Sequence, residues 1–225
     1  MAAYLILGAG KFGRLALERL AARDPAATFV VVDSDREALA QVRAACGPGL
    51  ETVAADAIDF LAANLREDAS WDWIIPMVPT HVAYLWLLAG AAGGGWQPVE
   101  VPAALLALAV AVGRDPAGQG LFLSRARHLC PDDCLEAGDV CPVNGESREV
   151  PLHREMADLK VPGFQVRALP TPQLAPGIGG YTPRQLLDLA RELAGAAGRV
   201  LIVTACRCHG VMHGLAQRQQ GDAGV

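Results

Sequence analysis

Over the first 90 residues, short continuous apolar runs alternate with stretches that are apolar on one side only. Residues 4–8 are an apolar run and predict a strand. Residues 11–23 turn Leu15, Leu17 and Leu20 toward one face of an amphipathic helix. Residues 28–33, TFVVVD, are rich in β-branched side chains and predict a second strand. A helix over 36–46 follows, opened by Ser34 or Asp35 as its cap. The same pattern predicts strands over 52–55 and 73–77 and helices over 57–65 and 80–89. Strands that are apolar on both faces and alternate with helices imply a parallel sheet covered on both sides.

Past Gly95 the alternation stops. Residues 99–112 read as a strand followed by a helix, 120–126 as a short strand and 127–149 as a polar loop carrying three cysteines. A helical turn over 151–159 and a strand over 165–169 precede a Pro/Gly-rich loop, 170–180. Pro183 at the first helical position and Gly198 beyond the end frame a helix over 182–196. Residues 199–204 read as the last clear strand, with a frayed tail after Gln217. The expected architecture is α/β: a Rossmann-type parallel sheet with helices on both faces over residues 1–95, then a smaller cysteine-bearing α/β region over 96–225.

Composition narrows the classes. The net charge of −5 argues against nucleic-acid or anionic membrane partners, which select a basic face. The apolar stretches 83–95 and 99–113 are interrupted at Gln97, Pro98 and Glu100, and each is shorter than the roughly 20 residues that cross a bilayer. The N-terminus has no basic segment ahead of its apolar run. The expectation is a cytoplasmic protein without a membrane span, where thiols stay reduced and clustered cysteines serve as ligands or catalysts.

The turn after the first strand is Gly8-Ala9-Gly10-Lys11-Phe12-Gly13. It follows a strand, opens a helix, and precedes a second strand ending in Asp33, which is the context of a dinucleotide fingerprint. The first glycine makes the turn, the second lets backbone approach a pyrophosphate, and the third allows close helix packing. The helix start, with Lys11 and Phe12, offers N–H groups and a positive dipole to the phosphates. Asp33, with Ser34 beside it, suits a ribose diol and repels a 2′-phosphate, which favours NAD(H). An adenine nucleotide fits the same features.

The segment LILGAGKFGRLALERLAARDPAATFVVVDSDREALAQVR, continued by VAADAIDFL, resembles the nucleotide-binding domain of TrkA/RCK-type potassium-transport regulators. The resemblance covers roughly residues 3–90. It implies that Asp56 and Ala57, in a turn where Ala55 replaces the family's glycine, lie beside the adenosine. It also implies a homodimer. No second regulatory domain of that family and no pore are recognisable in the rest of the chain.

Five of the six cysteines fall in two clusters, Cys130, Cys134 and Cys141 in the polar loop and Cys206 and Cys208 after residues 199–204. Cys46 stands alone in a helix as a small buried hydrophobe. The five point to a thiolate metal site, an iron–sulfur cluster or zinc, with disulfides a third reading. One thiol exceeds the four that a closed site needs, and His209 competes for a place. If residues 199–204 extend the N-terminal sheet, both sites open on one crevice. His209 and His213 would share a face if helical. His81 could exchange a proton near the nicotinamide or line a helix start, and the second is the commoner use. Residues 174–181 could cradle an anion or form a tight Pro/Gly connection. His128 and His153 have no partner legible in the sequence. The reading is an NAD(H)-binding regulatory or redox-sensing module. The alternative is an oxidoreductase passing electrons from NAD(H) to an iron–sulfur centre or a small substrate.

Overall fold

The computed structural model describes residues 1–45, 49–135 and 138–218, so Cys46 lies outside the described residues. The chain divides into two compact units. The first comprises Met1–Trp86, Pro131–Glu136 and Pro172–Leu187, and the second comprises Leu87–Cys130, Ala137–Thr171 and Asp188–Val225.

In the first unit, β1 (Ala3–Leu7), β2 (Thr28–Asp33), β3 (Leu50–Ala54) and β4 (Trp73–Pro76) form a parallel sheet in the order β3-β2-β1-β4. The helices α1 (Lys11–Arg23), α2 (Arg36–Ala45) and α3 (Ala57–Asn64) connect successive strands, and α4 (Val82–Trp86) follows β4. Leu5, Ile6 and Leu7 of β1 are fully buried, as a strand between two neighbours and beneath two layers requires. Helix α1 buries Gly13, Ala16, Leu17 and Leu20, whereas Leu15 is only half-buried. Asp35 rather than Ser34 caps α2, its Oδ1 accepting from Glu37 N and Ala38 N at 2.8 and 3.1 Å.

Three sequence expectations change here. Residues 170–180 are not an open loop: β9 (Gln173–Ala175) pairs antiparallel with β10 (Ile178–Gly179). The helix expected over 80–89 is shorter. After Trp86 the chain widens into a π-helical turn, Leu87–Ala91, and leaves it where Gly90 takes φ +103°. No long helix follows residue 99; a 3-10 turn, Ala103–Ala107, leads into β6 (Ala111–Arg114). Pro102 precedes that turn and Gly113 lies soon after it, so the Ala/Leu run between them has too little length to propagate.

The second unit is built on a mixed sheet. Its strands are β5 (Trp96–Val99), β6, β7 (Leu121–Ser124), β8 (Gln165–Pro170), β11 (Arg199–Ala205) and β12 (His209–Gln217), with α5 (Leu152–Ala157) packed on β8 and β11. Strand β11 runs parallel to β8 and antiparallel to β12. One edge of β12 pairs with β7 along His209–Met212 and with β5 along Gly214–Gln217. Residues 199–204 therefore do not extend the N-terminal sheet, and the single crevice expected from that continuity is withdrawn. His209 and His213 lie on a strand and not on a helix. Helix α6 (Pro183–Ala194) matches its expected frame. No helix among the described residues is long and apolar enough to cross a membrane.

Candidate functional site

The glycine turn sits at the C-terminal end of β1, and the residues singled out in the sequence lie at the same end of β1, β2 and β3. Gly8 holds φ +111°, a left-handed value, and its N–H donates to Val32 O at 2.7 Å. A Cβ on Gly8 would stand 2.8 Å from Met77 O. A Cβ on Gly13 would stand 1.9 Å from Gly8 O, so the start of α1 packs directly on the turn. Gly10 differs. Its φ is −67°, open to any residue, and a Cβ there meets nothing within 4 Å. Arg14 N is bonded to Gly10 O at 3.0 Å, so the N–H groups of Lys11, Phe12 and Gly13 precede the first intrahelical bond.

Asp33 is half-buried and ties the turn to β2: Ala9 N donates to its Oδ2 at 2.6 Å and Asp35 N to its Oδ1 at 2.8 Å. A carboxylate has about four lone-pair sites, so two remain for a diol. Ser34 is exposed beside it. Asp56 caps α3, with Ile58 N and Asp59 N donating to Oδ1 at 2.7 and 3.0 Å, and Ala57 is buried at the first helical position. Phe12 and Lys11 are exposed, the ammonium 5.1 Å from the phenyl centroid. A contact the sequence did not reveal is the Lys11 Nζ–Asp132 Oδ2 ion pair at 2.7 Å, which holds the Asp132 carboxyl below the usual carboxylate range. Arg19 Nη1 also donates to Asp132 O, at 2.7 Å. His81 is buried and stacks on Tyr84 with ring centroids 5.9 Å apart, while its carbonyl accepts from Leu85 N. That is the role of a residue lining a helix start.

The thiols divide between the units. Cys134 belongs to the first, where its carbonyl accepts from Gln173 Nε2 at 2.8 Å and Gly177 N at 3.2 Å. Cys130, Cys141, Cys206 and Cys208 belong to the second. Cys206 opens the β11–β12 hairpin connection, and its Sγ accepts N–H bonds from Cys208 and His209, both at 3.3 Å. Cys141 repeats this arrangement: the N–H groups of Asn144 and Val143 bond its sulfur and hold the thiol below its ordinary range. Cys130 Sγ lies 3.5 Å from His209 Nε2 and 3.8 Å from His128 Nε2. Burial pushes the Cys130 thiol up, and Cys141 and Cys208 are near enough to add to that. None of Cys130, Cys134, Cys141, Cys206 and Cys208 is in a disulfide. Among the described residues, no three His, Cys, Asp or Glu side chains meet at one metal-ligand point.

Residues 71–218 match the family AF_1314_C, described as "Uncharacterized protein, C-terminal domain". The chain is also 30% identical over 232 residues to an "Uncharacterized protein" of Archaeoglobus fulgidus, across 94% of this chain and 98% of the relative. The chain belongs to the AF_1314_C family. Residues 4–72 match the TrkA-N domain, so the AF_1314_C region is preceded by the dinucleotide-binding fold that the glycine turn announces. No solved structure matches the chain.

Within the AF_1314_C region, His213 and Asp115 form a pair across 98 residues of sequence. His213 Nε2 and Asp115 Oδ2 are 3.1 Å apart, and Gln119 N and Gly120 N also donate to the carboxylate. A Cβ on Gly120 would stand 2.3 Å from the imidazole, so only glycine lets the ring lie there. Burial lowers the His213 pKa below 6.5 despite the neighbouring carboxylate. Burial raises that of Asp115, but the Gly120, His213 and Gln119 hydrogen bonds outweigh it and hold the group below 3.8. Between the folded and unfolded His213 values the unfolded chain binds more protons, so stability falls as pH drops below about 6.5. Asp115 adds a second loss below its unfolded value. Urea midpoints are expected to fall between about pH 7 and pH 5, and His213→Gln is expected to flatten that part of the profile.

Proposed function

We propose that this protein is an NAD(H)-binding regulatory module, with a thiolate metal site, iron–sulfur or zinc, as a redox-sensing or structural element of its second unit. The observation that carries the nucleotide reading is Gly10. Neither its backbone angles nor its surroundings require glycine, unlike Gly8 and Gly13. A residue that the chain's own packing leaves free to carry a Cβ, at the mouth of a helix N-terminus, suits the close approach of a pyrophosphate. The Asp33 carboxylate, at the end of the neighbouring strand, supports a ribose with its 2′-hydroxyl free and disfavours a 2′-phosphate.

The test is calorimetric titration of the full chain with NADH, NAD⁺, NADPH and ADP. NADH or NAD⁺ is expected to bind more tightly than NADPH, and Asp33→Asn to narrow that gap. Equal affinity for NADPH, or tight binding of ADP alone, would refute the assignment. The regulatory reading is supported by the buried setting of His81, whose ring is stacked on Tyr84. Turnover of NADH by the isolated protein with a soluble electron acceptor would displace it in favour of an oxidoreductase.

A further inference from the structure

We infer that Asp132 is a built-in competitor of the dinucleotide: its carboxylate holds the Lys11 ammonium at the glycine turn, and the pyrophosphate has to displace it. This rests on the reading that the turn binds NAD(H), and it deepens that reading by naming a contact of the first unit that regulates the same site.

Lys11, Leu15, Arg19 and Arg23 stand four residues apart along α1 and so share one of its faces. The three cations all reach segments far away in sequence but within the first unit. Arg19 Nη1 donates to Asp132 O at 2.7 Å and also to Pro176 O, and Arg23 Nη1 donates to Leu174 O. Those acceptors are backbone carbonyls. Lys11, the first residue of the helix, instead meets a carboxylate, Asp132 Oδ2 at 2.7 Å. Of the three contacts, that one is made to an anion, at the end of α1 where the glycine turn lies.

The position of Asp132 is built. Cys134 N donates to Pro131 O at 3.1 Å, which closes a turn around Asp132. Cys134 O accepts from Gln173 Nε2 at 2.8 Å and from Gly177 N at 3.2 Å, which fastens that turn to the β9–β10 hairpin. A Cβ on Gly177, whose φ is +68°, would stand 2.1 Å from Asp132 O, so the hairpin and the turn pack backbone to backbone. Arg19 holds the same carbonyl from the side of α1. An exposed ion pair between two swinging side chains loses much of its strength to entropy, and here the backbone of one partner is fixed.

The pair is also open to exchange. Its side chains are 69% and 49% exposed for Lys11 and Asp132, so an anion arriving from solvent can reach the ammonium. The Lys11 hydrogen bond and charge keep the Asp132 carboxyl below the usual carboxylate range, so the competitor is an anion at neutral pH. A carboxylate and a pyrophosphate crowding one ammonium repel each other. Binding of one therefore weakens the other by the same factor.

The experiment is calorimetric titration of NADH and of ADP into the full chain as wild type, Asp132→Asn, Lys11→Met and the double variant. D132N is expected to bind NADH about two- to fivefold more tightly than wild type, the span an exposed ion pair supplies. K11M is expected to bind it more weakly, and D132N to bring no gain in the K11M background. A purely structural role for the pair predicts unchanged or weaker binding in D132N, and that result would overturn the competition. An equal gain in the K11M background would overturn it too, because Asp132 would then act as a distant charge without Lys11. Binding of neither ligand to any of the four proteins would overturn the dinucleotide reading and the inference with it. Binding without the D132N gain overturns the inference alone.

Discussion

Gly13→Ala is expected to destabilise the first unit by about 3 kcal/mol or more, at the upper end for overpacking, and to abolish nucleotide binding with it. The new methyl would be built 1.9 Å from Gly8 O, a backbone atom whose residue is itself fixed by φ +111° and by its bond to Val32 O. No rotamer change relieves such a clash; α1 must lift from β1 and expose Leu17 and Leu20. Gly10→Ala is the matching experiment. At an N-cap position with open space around it, the same methyl costs less than about 1 kcal/mol in stability. It is nevertheless expected to weaken NADH binding by about 10–100-fold, through loss of charge-assisted bonds from backbone held back from the pyrophosphate. Urea unfolding and calorimetric titration on both variants separate the two roles. Equal loss of stability in both would end the claim that Gly10 serves a ligand.

Leu201→Ala carries the other large effect, about 2–5 kcal/mol in the second unit. Leu201 lies on β11 between β8 and β12 and is fully buried with Leu121, Leu152, Met156 and Met212. Its neighbours belong to strands on both sides and to a helix, so the walls of the cavity cannot readily collapse inward. The effect is read as a lower urea midpoint at unchanged slope. A loss below about 1 kcal/mol would mean that this core relaxes around the void.

The first 90 residues were legible because their information is local. The glycine turn directly follows β1 and opens α1, Asp33 ends β2, and the caps of α2 and α3 are set within three residues of the N–H groups they accept. The second unit was less so. Strand β12, HGVMHGLAQ, has two glycines and two histidines and no apolar run; its extended form comes from ladders on both edges, with β11, β7 and β5. The hairpin of β9 and β10 hid in a stretch of Pro and Gly that reads as loop from composition alone. Candidate ligands could be listed by residue type, but not grouped.

Sequence by itself determined the parallel Rossmann-type sheet and the dinucleotide turn. A continuous apolar strand followed by a glycine turn and a one-sided helix has few other ways to bury itself. The tertiary structure alone decided which sheet holds residues 199–205, that His213 meets Asp115 across 98 residues, that Lys11 meets Asp132 across 121, and that Cys141 and Cys206 share one N–H···S arrangement. Those choices depend on pairing and burial between distant segments, whose energies no local pattern of residues contains.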